Sequence, residues 1–352
     1  MLNLRNTFLK TSRYLSTLNE TIITRQEYPL NKCREILQDK TIGVLGYGPQ
    51  GRGQALNLKD NGFDVNLGLR TGLSYDKALE DGWIPGENLF NVEESVEKSD
   101  IVKYLLSDAG QISVWPTISP LLTSDKTLYF SHGFGVVYSD KTNIVPPDMD
   151  VILVAPKGSG LTVRNKFIEG KGINSSYAVY RDYSGNASET CRALAFGIGS
   201  GYLFETTFEK EVYSDLVGER CVLMGMIHGA FNAQYNVLRR KGHSPTEAYN
   251  ETVEEALESL FPLVSSKGMD WMFSNCSTTA QRGALDWSKR FEEVLEPVIE
   301  SCYEDVQNGK EADRVISSNS DPNYRKILEG ELNEINESEL WRTASEMRKL
   351  RV

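Results

Sequence analysis

The chain is short of the residues that build soft or imidazole-ligated metal centres. Its 352 residues include three histidines, His132, His228 and His243, far apart in sequence, so any metal site must rest on oxygen ligands, which suits magnesium or manganese better than zinc. The five cysteines, Cys33, Cys191, Cys221, Cys276 and Cys302, form no C-x-x-C, which leaves neither a zinc knuckle nor a disulfide framework and fits a reducing compartment. No apolar run reaches the roughly 18 residues that cross a bilayer, so no membrane partner is expected. Basic charge is in deficit, 38 Lys and Arg against 49 Asp and Glu, and a nucleic-acid partner is not expected of such a surface. Acid is itself missing from one place. MLNLRNTFLKTSRYLSTLN, the first nineteen residues, contains Arg5, Lys10 and Arg13 and several hydroxyls but no Asp or Glu, the pattern of a mitochondrial presequence, which is assigned to 1–22.

What is present suffices for two compact domains, with 40% hydrophobic and 25% charged residues. From Thr41 to about Tyr180 short apolar runs alternate with helical stretches: TIGVLG, GRGQALNLKDNG, DVNLGLR, SDIVKYLLSD, TLYFSHG and DVILVAPKG, with SSYAVYR as a further strand. Strands alternating with helices imply right-handed crossovers and a mostly parallel, doubly wound sheet of Rossmann type. From about Phe204 long amphipathic stretches take over, so a first domain at 23–205 is expected to be followed by an all-helical domain at 206–352. Ser244, Pro245 and Glu247 mark one helix start as N-cap, N1 proline and capping-box glutamate.

Gly46-Tyr47-Gly48-Pro49-Gln50-Gly51 is a full G-x-G-x-x-G that follows an apolar strand and opens a helical segment, the context a dinucleotide fingerprint requires. Its glycines let the turn close and the backbone approach a pyrophosphate at the helix N-terminus; the alternative is a structural turn without ligand. The next strand ends at Arg70, where an NAD enzyme usually places an acid. A guanidinium there, with Ser74 and Lys77 close in sequence, suits the 2′-phosphate of NADPH, although a solvated arginine fits the same position. Asp215 and Glu219, and likewise Glu251 and Glu255, stand four apart in helical sequence, so each pair can present two oxygens on one helix face. Asp215 and Glu219 run into CVLMGMIHGAF, an apolar segment expected to be buried, and acids at its mouth require cations or ion-pair partners. Both metal ligation and ion pairing remain open, and Glu254 and Glu258 are equally good acids by local sequence. His132 in SHGF and Lys157 in APKGSG each follow a strand-like run, where open α/β sheets bind ligands; a plain loop role fits equally.

Taken together, GYGPQGRGQALNLKDNG, LLSDAGQ, LYFSHGF, DVILVAPKGSG, GINSSYAV, ETTFEKEVYSDLVGER, GHSPTEAYNETVEEA and GMDWMFSNCSTTAQRGALDW resemble ketol-acid reductoisomerase in its short, single-knotted form, as found in fungal mitochondria. The resemblance runs from Asp39 to the C-terminus. It implies that Asp215 and Glu219 hold two Mg2+ ions, completed by Glu251 and Glu255 from a partner subunit of an intertwined homodimer. It implies further that Ser277 bonds the substrate carboxylate, that Asp108, Gln111 and Gly160 line the NADPH, that His132 and Lys157 are catalytic, and that Glu211 is a further acid near the metals. The implied substrates are 2-acetolactate and 2-aceto-2-hydroxybutyrate, converted to 2,3-dihydroxy acids by an alkyl shift and hydride transfer in the mitochondrial matrix. The second domain is expected to be a knotted helical bundle. Two positions depart from the pattern: Pro49 replaces the commoner serine, and the stretch after Arg70 is one residue short, which leaves Ser74 as the hydroxyl assigned to the 2′-phosphate. A β-hydroxyacid dehydrogenase, with a similar domain order but no metal cluster, is the nearest enzymatic rival, and a non-catalytic nucleotide sensor a more distant one.

Overall fold

The computed structural model describes residues 20–351; the basic leader expected at the N-terminus falls mostly outside them. By its internal contacts the chain divides into two units after Val212, inside the Phe208–Gly218 helix and slightly later than the boundary expected at 205/206.

The first unit is built on a nine-stranded sheet in the order β1-β9-β8-β7-β6-β5-β2-β3-β4. These strands are β1 Ile22–Thr24, β2 Thr41–Leu45, β3 Asp64–Gly68, β4 Leu89–Phe90, β5 Ile101–Tyr104, β6 Thr127–Phe130, β7 Asp150–Pro156, β8 Ser175–Arg181 and β9 Tyr202–Glu205. The run β7-β6-β5-β2-β3-β4 is parallel throughout, whereas β8 runs antiparallel to β7 and β1 antiparallel to β9. Ile22, placed by the sequence reading at the end of the leader, is thus the first residue of an edge strand. Helices cover both faces, so the strands are buried on both sides and read as continuous apolar runs. Ile42, Val44, Tyr129, Ile152 and Val154 enter one core, while Leu45, Leu128, Phe130, Val151 and Leu153 enter the other, as the two-residue period of a strand requires. The chain leaves β2 in one direction for β3 and β4 and returns on its other side for β5, β6 and β7, which makes the carboxyl edge of β2 and β5 a topological switch point.

The second unit is helical, with no strand among the described residues. Its longest helix, Thr278–Gln307, starts at Ser277, whose Oγ accepts from Ala280 N at 3.3 Å. Ser244 caps the Pro245–Tyr249 helix as expected, accepting from Glu247 N at 3.1 Å, while the Glu247 carboxylate turns to His243 at 3.0 Å. The expected burial of CVLMGMIHGAF does not occur within the chain. A π-helical turn at Glu219–Leu223, with Cys221 at φ −97° and ψ −116°, breaks the helix and leaves Val222, Leu223 and Met224 exposed. Trp287, Phe291, Val294 and Val298 form a second exposed apolar stripe at helical spacing.

Candidate functional site

The parallel strands deliver four sequence motifs to one edge of the sheet. Gly46 follows β2 at φ +100°, a backbone angle that disfavours any side chain, and turns the chain into the Pro49–Asp60 helix. Pro49 occupies the first helical position, where the missing N–H removes no intrahelical bond. Gly48 is exposed, and a Cβ built on it meets nothing within 4 Å, so the loop has open space where a pyrophosphate would approach. Tyr47 points elsewhere: its hydroxyl donates to Asp81 at 2.9 Å and accepts from Trp83 Nε1 at 2.8 Å, so only its backbone belongs to the loop. The Gly160–Ile168 helix, which follows β7, is packed so closely that a Cβ on Gly160 would stand 2.0 Å from the Pro49 carbonyl. Gln50 joins the two starts by donating to Gly158 O at 2.9 Å. Helices at Pro49, Asp108 and Gly160 therefore begin at the edge where β2, β5 and β7 end, each offering unpaired N–H groups and the positive end of its dipole to an anion.

A polar network that sequence reasoning overlooked ties the glycine loop to β6. Gln54, fully buried, donates to Gln50 Oε1 at 3.0 Å and to Ser131 Oγ at 2.8 Å, and accepts from Tyr129 Oη at 3.0 Å. Its spacing of four from Gln50 on one helix was the available signal. Gln111 is also buried, and its amide donates to the carbonyls of Tyr104 and Leu106 at 3.3 and 3.1 Å, so it shapes the end of β5. Beyond β3, Arg70 and Ser74 are exposed, and no ion pair engages Arg70 among the described residues. Lys77, by contrast, is held by Glu80 at 2.7 Å.

His132 and Lys157, from the ends of β6 and β7, meet on one buried acid. Glu211 is 1% exposed; its Oε1 lies 3.0 Å from Lys157 Nζ and its Oε2 3.5 Å from His132 Nδ1. Burial pushes the Glu211 carboxyl up, but hydrogen bonding and charge from His132, joined by Lys157, outweigh it and leave the group below its ordinary value. Asp108 is raised by burial, against the opposing charge of His132. Ionised Glu211 thus holds an ammonium and an imidazole beside the dinucleotide loop.

In the second unit, Asp215 stands one turn beyond Glu211 on the same helix, and Glu219 opens the π-helical turn. The neighbouring acids that sequence could not separate are separated by their partners. Glu254 accepts from Tyr249 Oη at 2.6 Å and from Arg351 Nε at 3.0 Å, and Glu258 pairs with Arg351 at 2.8 Å. Glu251 and Glu255 are exposed, and no side-chain partner for either is recorded among the described residues. Within this unit the described residues form no cluster that unites this pair with Asp215 and Glu219. Ser277 is exposed at the N-cap of the long helix, where unpaired N–H groups of the first turn surround it.

Two family models cover nearly all of this chain. Residues 36–202 match the acetohydroxy acid isomeroreductase NADPH-binding domain, and residues 208–352 match the ketol-acid reductoisomerase C-terminal domain. A ketol-acid reductoisomerase (NAD(+)) of Desulfosudis oleivorans is 57% identical over 95% of this chain and 96% of its own length. The mitochondrial ketol-acid reductoisomerase of Saccharomyces cerevisiae is 55% identical over 97% of this chain and 88% of its own. Among solved structures, an NADH-preferring ketol-acid reductoisomerase from an uncultured archaeon superposes with a TM-score of 0.83 at 32% identity, covering 94% of this chain and 99% of that one. With both halves matched in order, and with a glycine loop beside a Lys–Glu–His group centred on one buried acid, the chain belongs to the ketol-acid reductoisomerase family, NAD(P)-dependent oxidoreductases of branched-chain amino-acid biosynthesis.

Proposed function

We propose that the protein carries out the Mg2+-dependent, NADPH-dependent isomeroreduction of 2-acetolactate and 2-aceto-2-hydroxybutyrate in the mitochondrial matrix, as a homodimer with shared sites. The observation that carries the metal assignment is the contrast between Glu251 and Glu255, whose exposed side chains have no partner among the described residues, and Glu254 and Glu258, held by Arg351. Carboxylates that the chain leaves uncompensated suit hard, oxygen-ligated cations. The fit of the donor set is good: Asp215, Glu219, Glu251 and Glu255 would hold the ions, which supply Lewis-acid polarisation of the substrate ketone and charge for the developing alkoxide.

The remaining roles follow from the chain's own groups. Glu211 holds the Lys157 ammonium in place to donate to a substrate oxygen, and it engages His132 through Nδ1, so proton exchange with substrate falls to the other ring nitrogen. The N-termini at Pro49 and Gly160 receive the pyrophosphate, and exposed Arg70 with Ser74 receives the 2′-phosphate, the reason to favour NADPH. Ser277 and the first turn of its helix suit the substrate carboxylate. Homodimerisation is supported by the exposed stripes at Val222–Met224 and Trp287–Val298, which a second copy would cover while supplying the missing carboxylate pair. The acid-free leader and fungal relatives named mitochondrial support the matrix assignment.

The test is NADPH oxidation with 2-acetolactate, with and without Mg2+, on the wild type and two variants. Glu251→Gln should lose at least about two orders of magnitude in kcat, as removal of a transition-state charge interaction does. Glu254→Gln should keep it. Normal turnover of Glu251→Gln, or activity undiminished by chelation, would rule the proposal out.

A further inference from the structure

The π-helical turn and the long helix bring two of the five thiols together. Cys221 is buried inside the Glu219–Leu223 turn and carries the non-helical backbone angles noted above. Cys302 is half-buried on the Thr278–Gln307 helix, and its thiol neighbours that of Cys221, with burial and this neighbour pushing its pKa up. Two neighbouring contacts bind the same stretches of chain. The rings of Tyr213 and Tyr303 meet edge-on at 6.1 Å, and Arg220 Nε lies 2.8 Å from Glu311 Oε2. The other thiols are engaged elsewhere: Cys33 and Cys191 lie in the core of the first unit, and Cys276 donates to Met272 O at 3.2 Å.

We propose that Cys221 and Cys302 are a redox-modification site, forming a reversible disulfide on exposure to a peroxide and so clasping the turn that begins at Glu219 to the long helix. The more exposed Cys302 sulfur takes one oxygen from hydrogen peroxide, giving a sulfenic acid and one water. The Cys221 sulfur then attacks the Cys302 sulfur; the S–S bond forms, the S–O bond breaks, and the hydroxyl leaves with the Cys221 proton as a second water. Two thiols are oxidised by two electrons and one peroxide is reduced. The second step is intramolecular between neighbouring sulfurs, and the bond closes a long loop, so the folded state gains over the unfolded chain. In a reducing compartment disulfides are of this transient, redox-sensing kind, and exchange with a dithiol restores both cysteines.

The test uses the full-length protein, reduced and then treated with hydrogen peroxide, unfolded, alkylated with iodoacetamide and digested for mass spectrometry. Two of the five cysteines should escape alkylation, in a single cross-linked Cys221–Cys302 peptide, and dithiothreitol should restore all five. The oxidised wild type should melt above the reduced form. Cys302→Ser should have wild-type activity when reduced, form no bridge and show no shift on oxidation. Five alkylated cysteines after peroxide, a sulfinic Cys302 without a bridge, or a bridge between two chains would overturn the proposal. Because the readouts are thiol count and melting temperature, they are independent of whether Glu219 binds metal.

Discussion

Replacing Gly160 by alanine tests how the dinucleotide loop is held. A Cβ at this position stands 2.0 Å from both the carbon and the oxygen of the Pro49 carbonyl and 2.4 Å from Gln50 N. All three are main-chain atoms in the first turn of the neighbouring helix, so no rotamer change relieves the clash. Restoring van der Waals contact at about 3.5 Å requires the helix starts to separate by roughly 1.5 Å. Inserted methyl groups in well-packed interiors cost about 1–3 kcal/mol, and an obstacle made of backbone belongs at the upper end of that range. For a domain of this size each kcal/mol moves the midpoint by about 2–4 °C, so Gly160→Ala should melt roughly 6–12 °C lower. It should also bind NADPH more weakly, since separation breaks the 2.9 Å bond from Gln50 to Gly158. Gly48→Ala is the matched control: its methyl meets no atom within 4 Å, so it should melt with the wild type yet lose nucleotide affinity, because it fills the space above the loop. Circular dichroism melts and NADPH fluorescence titrations measure both effects. A Gly160→Ala protein with wild-type midpoint and affinity would refute the packing argument, and unchanged affinity in Gly48→Ala would show that the nucleotide binds elsewhere.

Three further outcomes follow from groups outside the reacting centre. Arg70→Ala should reduce kcat/KM for NADPH by about 10- to 100-fold, the worth of a hydrogen bond to a charged group, and leave NADH nearly unaffected; an equal loss for both cofactors would remove Arg70 from the 2′-phosphate. Asp81 is held below the ordinary carboxylate range, chiefly by its hydrogen bond from Arg52, with Tyr47 adding to it. Its stabilisation is therefore complete above the unfolded-chain value of about 4 and is lost as pH falls through its own lower value, so Asp81→Asn should flatten the acid limb of a melting curve against pH. A limb as steep as the wild type's would contradict this. Lys103 is fully buried, its Nζ without a hydrogen-bond partner over the Tyr129 ring at 3.5 Å, and burial drives its pKa well down. Stability is then lost as pH falls below the unfolded lysine value of about 10, so at neutral pH Lys103→Met should melt higher, by about 1–3 kcal/mol of relieved burial cost; a lower midpoint would argue for a structural need for the amine.

Much of the fold was legible because local chemistry points one way at each level. The glycine fingerprint, the apolar runs buried on both faces and the Ser244 cap are dictated by backbone sterics and periodicity within a few residues, and the structure reproduces them. Other features were decided at long range. Tyr47 lies inside the fingerprint, yet its side chain turns away because Asp81 and Trp83, more than thirty residues on, satisfy its hydroxyl. The run from Cys221 onward read as core because hydropathy records that a surface needs covering, not what covers it; Val222, Leu223 and Met224 are exposed in the single chain.

The acid pairs draw the line most sharply. Sequence alone established that carboxylates recur at a spacing that can face one side of a helix, in a chain too poor in histidine for other metal chemistry. Local pattern did not separate Glu251 from Glu254, since neighbours on a helix share composition and propensity, and it was the family resemblance that pointed to Glu251. Only the tertiary structure tells the two apart by their partners, by bringing Arg351, 97 residues away in sequence, onto Glu254. Its guanidinium compensates Glu254 and Glu258 and leaves Glu251 and Glu255 exposed, and charge compensation across such a separation is written in no local pattern.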